Sequence, residues 1–142
     1  MEKKDLLKDV IKHIDIKSYN STELVDAMRN MSFTSRDTAR AADILMMMCK
    51  EKECTNILTL AGSTSAAGCM QVYVDMVRNK MIDVVVATGA SSIDMDVFEA
   101  LGFKHYIGEK EKVIADTTLR DLYIDRIYDT YIDEEELQAC DH

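Results

Sequence analysis

Two short apolar segments joined by an amphipathic helix most strongly limit how this chain can fold. Residues 56–61 and residues 82–87 are rich in aliphatic and β-branched side chains, as buried parallel strands usually are. Between them, apolar residues recur at the spacing of one helix face: Met70, Tyr73, Val74, Val77 and Met81. A strand, a helix and a second strand in this order predict a right-handed βαβ unit in a parallel sheet.

Small residues follow both predicted strands. The first loop, residues 62–68, is Gly-Ser-Thr-Ser-Ala-Ala-Gly, and the second loop, residues 88–92, is Thr-Gly-Ala-Ser-Ser. Ligands of open α/β sheets bind beyond the carboxyl ends of the strands, and small side chains let the backbone approach a phosphate or ribose. A helix N-terminus after the first loop would also attract an anion. The loop matches neither the dinucleotide nor the phosphate-loop fingerprint, so nucleotide binding and a tight structural turn both stay open.

Three further apolar stripes at helical spacing predict helices before the βαβ unit. The second of these helices should begin behind an Asn20 cap with Glu23 three residues later. The apolar positions are Leu6, Leu7, Val10, Ile11 and Ile14, then Leu24, Ala27, Met28 and Met31, then Ala41, Ile44, Leu45 and Met48. We expect these helices to dock on a core, with the Met46-Met47-Met48 cluster as adaptable packing.

Shorter elements are expected after the second predicted strand. Asp94 or Asp96 could cap a helix, or could pair with an ammonium group or a ribose hydroxyl. Gly102 would end that helix. Its inward-facing positions would be Val97, Phe98 and Leu101. The sheet is then expected to continue near residues 104–107 and 126–132.

The composition predicts one folded domain spanning residues 1–142. Proline is absent, and no apolar run approaches the roughly 20 residues that span a bilayer. The N-terminus is charged rather than apolar, so we expect a cytoplasmic protein without a membrane segment. The four cysteines, Cys49, Cys54, Cys69 and Cys140, show no zinc-ligand spacing and are expected to be reduced thiols without metal.

The acidic charge of the chain is concentrated near its C-terminus. Of the formal net charge of −9, most arises in residues 116–142, which carry nine acids against two bases. Such a surface repels nucleic acid and suits a cationic ligand or a basic partner, although a solvated acidic face is by itself the better explanation. His105 is expected to be structural, because catalysis needs an oriented partner that the sequence does not identify.

Two stretches of the chain resemble a known family. Residues 58–68, Leu-Thr-Leu-Ala-Gly-Ser-Thr-Ser-Ala-Ala-Gly, and residues 82–90, Ile-Asp-Val-Val-Val-Ala-Thr-Gly-Ala, are similar to the deoxyhypusine synthase family and its bacterial and archaeal deoxyhypusine-synthase-like members. Similar segments extend over residues 33–48, 99–108 and 119–131. Nearly all of the chain is covered in matching order, which is more specific than any single motif.

The resemblance implies an α/β protein, an NAD-dependent transferase with a Rossmann-like three-layer sheet and helices on both faces. Such enzymes oxidise spermidine, carry its aminobutyl group on a lysine, and pass it to a lysine of a translation factor or to a small amine. The resemblance places the cofactor contacts on Ser63, Thr64, Ser65, Thr88, Gly89 and Ala90. It places the polyamine contact on Asp94, or on Asp96 because the second loop carries one extra residue.

Departures from the family limit what this chain is expected to do alone. Ala66 and Ser91 stand where different relatives place an asparagine, and no lysine matches the one that forms the imine. The family is more than twice as long, and Asp133 starts a helix about two turns from the last residue. We therefore expect a truncated N-terminal portion, inert alone, that forms a homo-oligomer or pairs with a complementing half.

Two other hypotheses remain open at this point. The chain could be a non-catalytic interaction or regulatory subunit that pairs with a full-length relative. It could also be a nucleotide-binding domain with no transferase role, in which the resemblance reflects the fold alone.

Overall fold

The computed structural model describes residues 1–108 and 113–140 and shows a mixed α/β protein. Its helices are α1 (Lys3–Leu6), α2 (Thr22–Met28), α3 (Phe33–Lys50), α4 (Met70–Arg78), α5 (residues 89–100), α6 (Asp116–Asp121) and α7 (Glu134–Cys140). Its strands are β1 (Ile57–Leu60), β2 (Val84–Ala87), β3 (His105–Ile107), β4 (Ile124–Ile127) and β5 (Thr130–Asp133). None of the helices described is both long and apolar enough to cross a membrane.

The chain folds into two compact units. The first unit contains Met1–Ile14, Leu60–Gln71 and Ala87–His142, and the second contains Asp15–Thr59 and Val72–Val86. The predicted cofactor and polyamine residues all belong to the first unit.

The predicted strand, helix and strand are confirmed as β1, α4 and β2. The Asn56 carbonyl accepts from the Val84 amide at 3.2 Å, and the Leu60 carbonyl accepts from the Thr88 amide at 3.2 Å. Both strands therefore advance in the same direction. The prediction that these strands are buried is wrong for β2, because its valines are 42–54% exposed. A continuous β-branched strand is buried only when layers cover both faces of its sheet.

The prediction of a helix over the first apolar stripe is wrong beyond the first helical turn. α1 ends at Leu6, and Val10 instead forms an antiparallel bridge with Tyr106. The Ile11 amide donates to the His105 carbonyl at 2.9 Å, and the Ile107 amide donates to the Asp9 carbonyl at 2.7 Å. The open edge of β3 therefore takes the backbone groups that a helix would have paired internally.

The C-terminal strands form a sheet of their own, so the prediction that one sheet continues is wrong. β5 lies between β3 and β4, and both pairings are antiparallel. The segment predicted as one element near residues 126–132 is the β4–β5 hairpin, which pairs Ile127 with Thr130. Asp133 starts α7 as predicted, because its Oδ1 accepts from the Glu135 amide at 3.0 Å.

Two apolar clusters among the described residues of the first unit involve these strands. One contains Leu6, Ile114, Leu119, Ile124 and Tyr131, and the other contains Ala66, Met95, Phe98 and Ile132. The second cluster joins the first loop to α5 and to the three-stranded sheet, so it supports the candidate site directly.

In the second unit, the helices predicted behind Asn20 and over the third apolar stripe are confirmed as α2 and α3. Asn20 Oδ1 accepts from the Thr22 amide at 3.1 Å. The expected burial of the methionine cluster is wrong, because Met46 is 55% and Met47 is 61% exposed. Successive helix residues point about 100° apart, so three consecutive methionines cannot all face one neighbour.

A pair of carboxyl groups links β4 to α7 and predicts how stability depends on pH. The hydrogen bond with Glu134, then burial, then the Glu134 charge raise the pKa of Asp125 to about 6, while the pKa of Glu134 is lowered. The folded chain therefore holds a proton that the unfolded chain releases. We expect stability to rise as the pH falls from about 7 to about 4 and this gain to disappear as the pH rises through about 6.

Asp125→Asn should remove this pH dependence and stabilise the chain at pH 8, because the amide donates to Glu134 at any pH. The gain should be about 1 kcal/mol, since solvent screens the exposed pair. Urea unfolding at several pH values measures it, with the exposed Asp121→Asn as the control. The same pH dependence in both variants would contradict the assignment.

Candidate functional site

The first loop is a compact turn that starts and ends on glycines in the left-handed region. Gly62 has φ +78° and Gly68 has φ +84°, which side chains disfavour. Within the loop, the Ala67 amide donates to the Ser63 carbonyl at 3.1 Å. Ser63 and Thr64 are half-buried, while the Ser65 side chain is buried.

The second loop is the beginning of a helix. Thr88 precedes α5 with extended backbone, and α5 comprises α-helical Gly89–Ser91, π-helical Ser92–Val97 and α-helical Phe98–Ala100. The prediction that Asp94 or Asp96 caps a helix is therefore wrong, because both lie inside α5. The helix starts at Gly89, directly after the extended residue Thr88.

The C-terminal end of α5 confirms part of the prediction. Gly102 has φ +105°, and its amide donates to the Glu99 carbonyl at 3.0 Å, as in a glycine-terminated helix. Phe98 is fully buried, but Val97 is 44% and Leu101 is 61% exposed, so the expected inward face is wrong at two positions. The π-helical turn changes the phase of the helix and therefore the residues that face the core.

Hydrogen bonds join the first loop to α5. Ser91 Oγ donates to the Gly62 carbonyl at 2.5 Å, and Ser65 Oγ donates to the Asp96 carboxylate. Residues five apart lie above one another in a π-helical turn, so Asp96 stands over Ser91 and both reach the loop. The structure thus brings Ser63, Thr64 and Ser65 close to the segment that carries the other three predicted cofactor residues, Thr88, Gly89 and Ala90.

A cavity of about 640 Å³ opens beside the first loop. Gly62, Ser63 and Thr64 line it on one side, and the turn of the β4–β5 hairpin lines it on another. Its volume falls in the range of about 300–1,000 Å³ that is typical of small-molecule sites. The other predicted site residues do not line this cavity: Thr88, Gly89 and Ala90 are exposed to solvent, Asp94 is half-buried, and Asp96 accepts from Ser65.

Two histidines and a glutamate form a partly buried hydrogen-bond network near the end of α5. Glu99 contacts His13 Nε2 through one carboxylate oxygen and His105 Nδ1 through the other. His13 Nδ1 also accepts from the amide of Met70, the first residue of α4, at 3.2 Å. His105 is 1% exposed and its Nε2 lies 3.1 Å from Met95 Sδ. His105 thus has the oriented partner that the sequence did not identify.

The charge of Glu99 is stabilised by these contacts. Burial acts to raise the pKa of Glu99, but hydrogen bonds from His105 and His13 lower it below its usual range. The stability that this carboxylate contributes is present above the ordinary glutamate pKa and is lost as the pH falls through the lowered value.

Over residues 1–108 and 113–140, no three His, Cys, Asp or Glu side chains converge as metal ligands.

Comparison with known proteins adds a second line of evidence. The family model of deoxyhypusine synthase matches residues 23–142. The chain belongs to the deoxyhypusine synthase family. A deoxyhypusine synthase-like protein of Caulobacter vibrioides is 64% identical over 141 residues, which cover 99% of this chain and 38% of that protein.

More distant members of the deoxyhypusine synthase family match in the same way. A deoxyhypusine synthase-like protein of Coxiella burnetii is 58% identical over 99% of this chain and 39% of its own length. A probable deoxyhypusine synthase 2 of Methanosarcina acetivorans is 37% identical over 91% of this chain and 36% of its own length. The chain therefore spans about two fifths of the length of the curated relatives it matches.

Proposed function

We propose that this chain is the N-terminal, NAD-contacting portion of a deoxyhypusine-synthase-like aminobutyl transferase. The observation that carries the proposal is the hydrogen bond from Ser91 to the Gly62 carbonyl, which holds the two small-residue segments together in a member of this family. In this proposal, residues 1–142 form one domain with a Rossmann-like arrangement. A second copy of the chain or a complementing half would complete that arrangement.

The residues of this site suit a dinucleotide. Ser63, Thr64 and Ser65 would contact NAD from the first loop, and Thr88, Gly89 and Ala90 would contact it from the start of α5. Small side chains at both segments, together with the exposure of Thr88, Gly89 and Ala90, allow phosphate and ribose groups to approach closely. When bound, NAD would accept a hydride from the polyamine.

Asp94 and Asp96 of α5 have different roles in this proposal. Asp94 would hold an ammonium group of spermidine, because it is half-buried and follows the cofactor segment on the same helix. Asp96 accepts from Ser65 and would instead hold the first loop in place. The acceptor would be a lysine of a translation factor or a small amine, and the chain alone would transfer nothing because no lysine here matches the nucleophile.

Calorimetric titration with NAD and spermidine tests the proposal. We expect NAD to bind and Ala90→Glu to weaken its binding at least about tenfold, because the new carboxylate would repel the phosphates. The matched control is Ala100→Glu, which changes another exposed alanine at the other end of α5. A carboxylate in the first turn of a helix favours helix stability, so lost binding would not reflect unfolding.

Other outcomes separate the remaining hypotheses. NAD binding without any spermidine response would favour a nucleotide-binding domain with no transferase role. Binding of neither ligand would contradict the proposal and favour a non-catalytic subunit, which co-purification with a full-length relative would then test.

A further inference from the structure

The His13–Glu99–His105 network joins the helices that follow the two segments of the proposed NAD site. Glu99 belongs to α5, and His13 contacts the first amide of α4, immediately after the first loop. We infer that Glu99 is a positioning residue that fixes the end of the first loop relative to α5. Its effect on NAD affinity rests on the proposed function, whereas the hydrogen-bond pattern of the network does not.

The hydrogen bonds of His13 determine where its proton lies. Because the Met70 amide donates to Nδ1, that nitrogen carries no proton. The Nε2 proton is then donated to Glu99. Only one neutral tautomer of His13 fits both contacts, so the ring connects the Glu99 carboxylate to the first amide of α4 in a fixed orientation.

His105 occupies the other oxygen of Glu99 from a different element. It lies at the start of β3, is buried, and donates from Nδ1 to Glu99. Glu99 thus accepts from two imidazoles that belong to separate segments of the first unit. A carboxylate provides two acceptors and no donor, which is the pattern that this position requires. Burying its charge is tolerated because both oxygens are hydrogen-bonded.

Three contacts from α5 hold the first loop along its length. Ser91 fixes the carbonyl of Gly62 at its beginning, Asp96 fixes Ser65 in the middle, and Glu99 acts through His13 just beyond its end. A loop held at three places loses little further conformational freedom when a ligand binds, and such preorganisation raises affinity. Removing the Glu99 contact should therefore weaken ligand binding without removing any ligand contact.

Glu99→Gln gives a specific expectation because an amide provides one acceptor and one donor. The amide oxygen can keep the proton of His13, which cannot change tautomer while Met70 donates to its Nδ1. The amide nitrogen then faces His105 Nδ1, which must accept and therefore loses its proton, while Nε2 donates to Met95 Sδ. The expected result is a tautomer change at His105 alone.

Nitrogen-15 NMR of the imidazoles, combined with NAD titration of the full chain, tests this inference. Wild type should show His13 protonated at Nε2 and His105 protonated at Nδ1. Glu99→Gln should change only His105 and keep NAD affinity within about threefold, whereas Glu99→Ala, which removes both hydrogen bonds of the carboxylate, should weaken NAD binding about tenfold.

Two results would overturn the inference: His13 protonated at Nδ1 in wild type, or unchanged NAD affinity in Glu99→Ala. If Glu99→Ala does not fold, the tautomer change in Glu99→Gln remains decisive, because a residue that only fills space would not move a proton at His105. If wild type binds no NAD, the proposed function fails while the tautomers still test the network.

Discussion

Phe98→Ala is expected to lower the free energy of unfolding of the chain by about 3–5 kcal/mol. The Phe98 side chain is fully buried. Its ring stacks on Phe103 with centroids 5.0 Å apart and meets the His105 ring edge-on at 5.3 Å. Alanine would leave a cavity between α5 and the three-stranded sheet and remove both ring contacts.

Val97→Ala is the matched control for this prediction, because Val97 precedes Phe98 in α5 and is 44% exposed. It should lower stability by less than about 1 kcal/mol. Urea unfolding followed by circular dichroism measures both variants, with m-values compared to check that the unfolded states are alike. Equal losses in the two variants would show that Phe98 does not occupy the core position described.

Gly68→Ala is expected to be the second most damaging change, at about 2–4 kcal/mol. A Cβ at this position would lie 2.9 Å from the carbonyl oxygen of Lys12, which is backbone and cannot move aside cheaply. The residue also has φ +84°, and its own carbonyl accepts from the Ile14 amide at 2.9 Å. The substitution should therefore displace the segment that carries His13.

Gly62→Ala separates backbone strain from the close contact. Gly62 has a similar φ of +78°, but a Cβ there would meet nothing within 4 Å. It should cost only about 1 kcal/mol, the approximate penalty for a left-handed conformation. Thermal and urea unfolding of the two variants measure the difference, and the prediction fails if Gly62→Ala is as destabilising as Gly68→Ala.

Local patterns in the sequence predicted the elements whose backbone hydrogen bonds are local or regular. α4 follows its apolar spacing, β2 follows its β-branched run, and α7 follows the Asp133 cap. The first apolar stripe has helical spacing, but beyond Leu6 the segment is extended because its backbone pairs with the distant edge of β3. That pairing involves Val10 and Tyr106, which no local window contains.

The candidate site was likewise predictable only in part. Adjacent parallel strands place the loops that follow them side by side, so the proximity of Gly62 and Ser91 follows from topology. The histidine network does not, because His13 and Glu99 are 86 positions apart and no spacing rule connects them. In the sequence, Glu99 resembles an ordinary surface acid of an amphipathic helix. Only the structure shows that it contacts His105 and His13.

Because α5 contains a π-helical turn, the number of residues in this helix determines which carboxylate faces the first loop. This turn holds one residue more than an α-helical turn, while Thr88 and Gly102 fix the two ends of the helix. A relative with one residue fewer between these ends would turn a different side chain toward the first loop, even with every other residue unchanged. Insertions and deletions in this helix therefore alter the chemistry beside the loop as much as substitutions do.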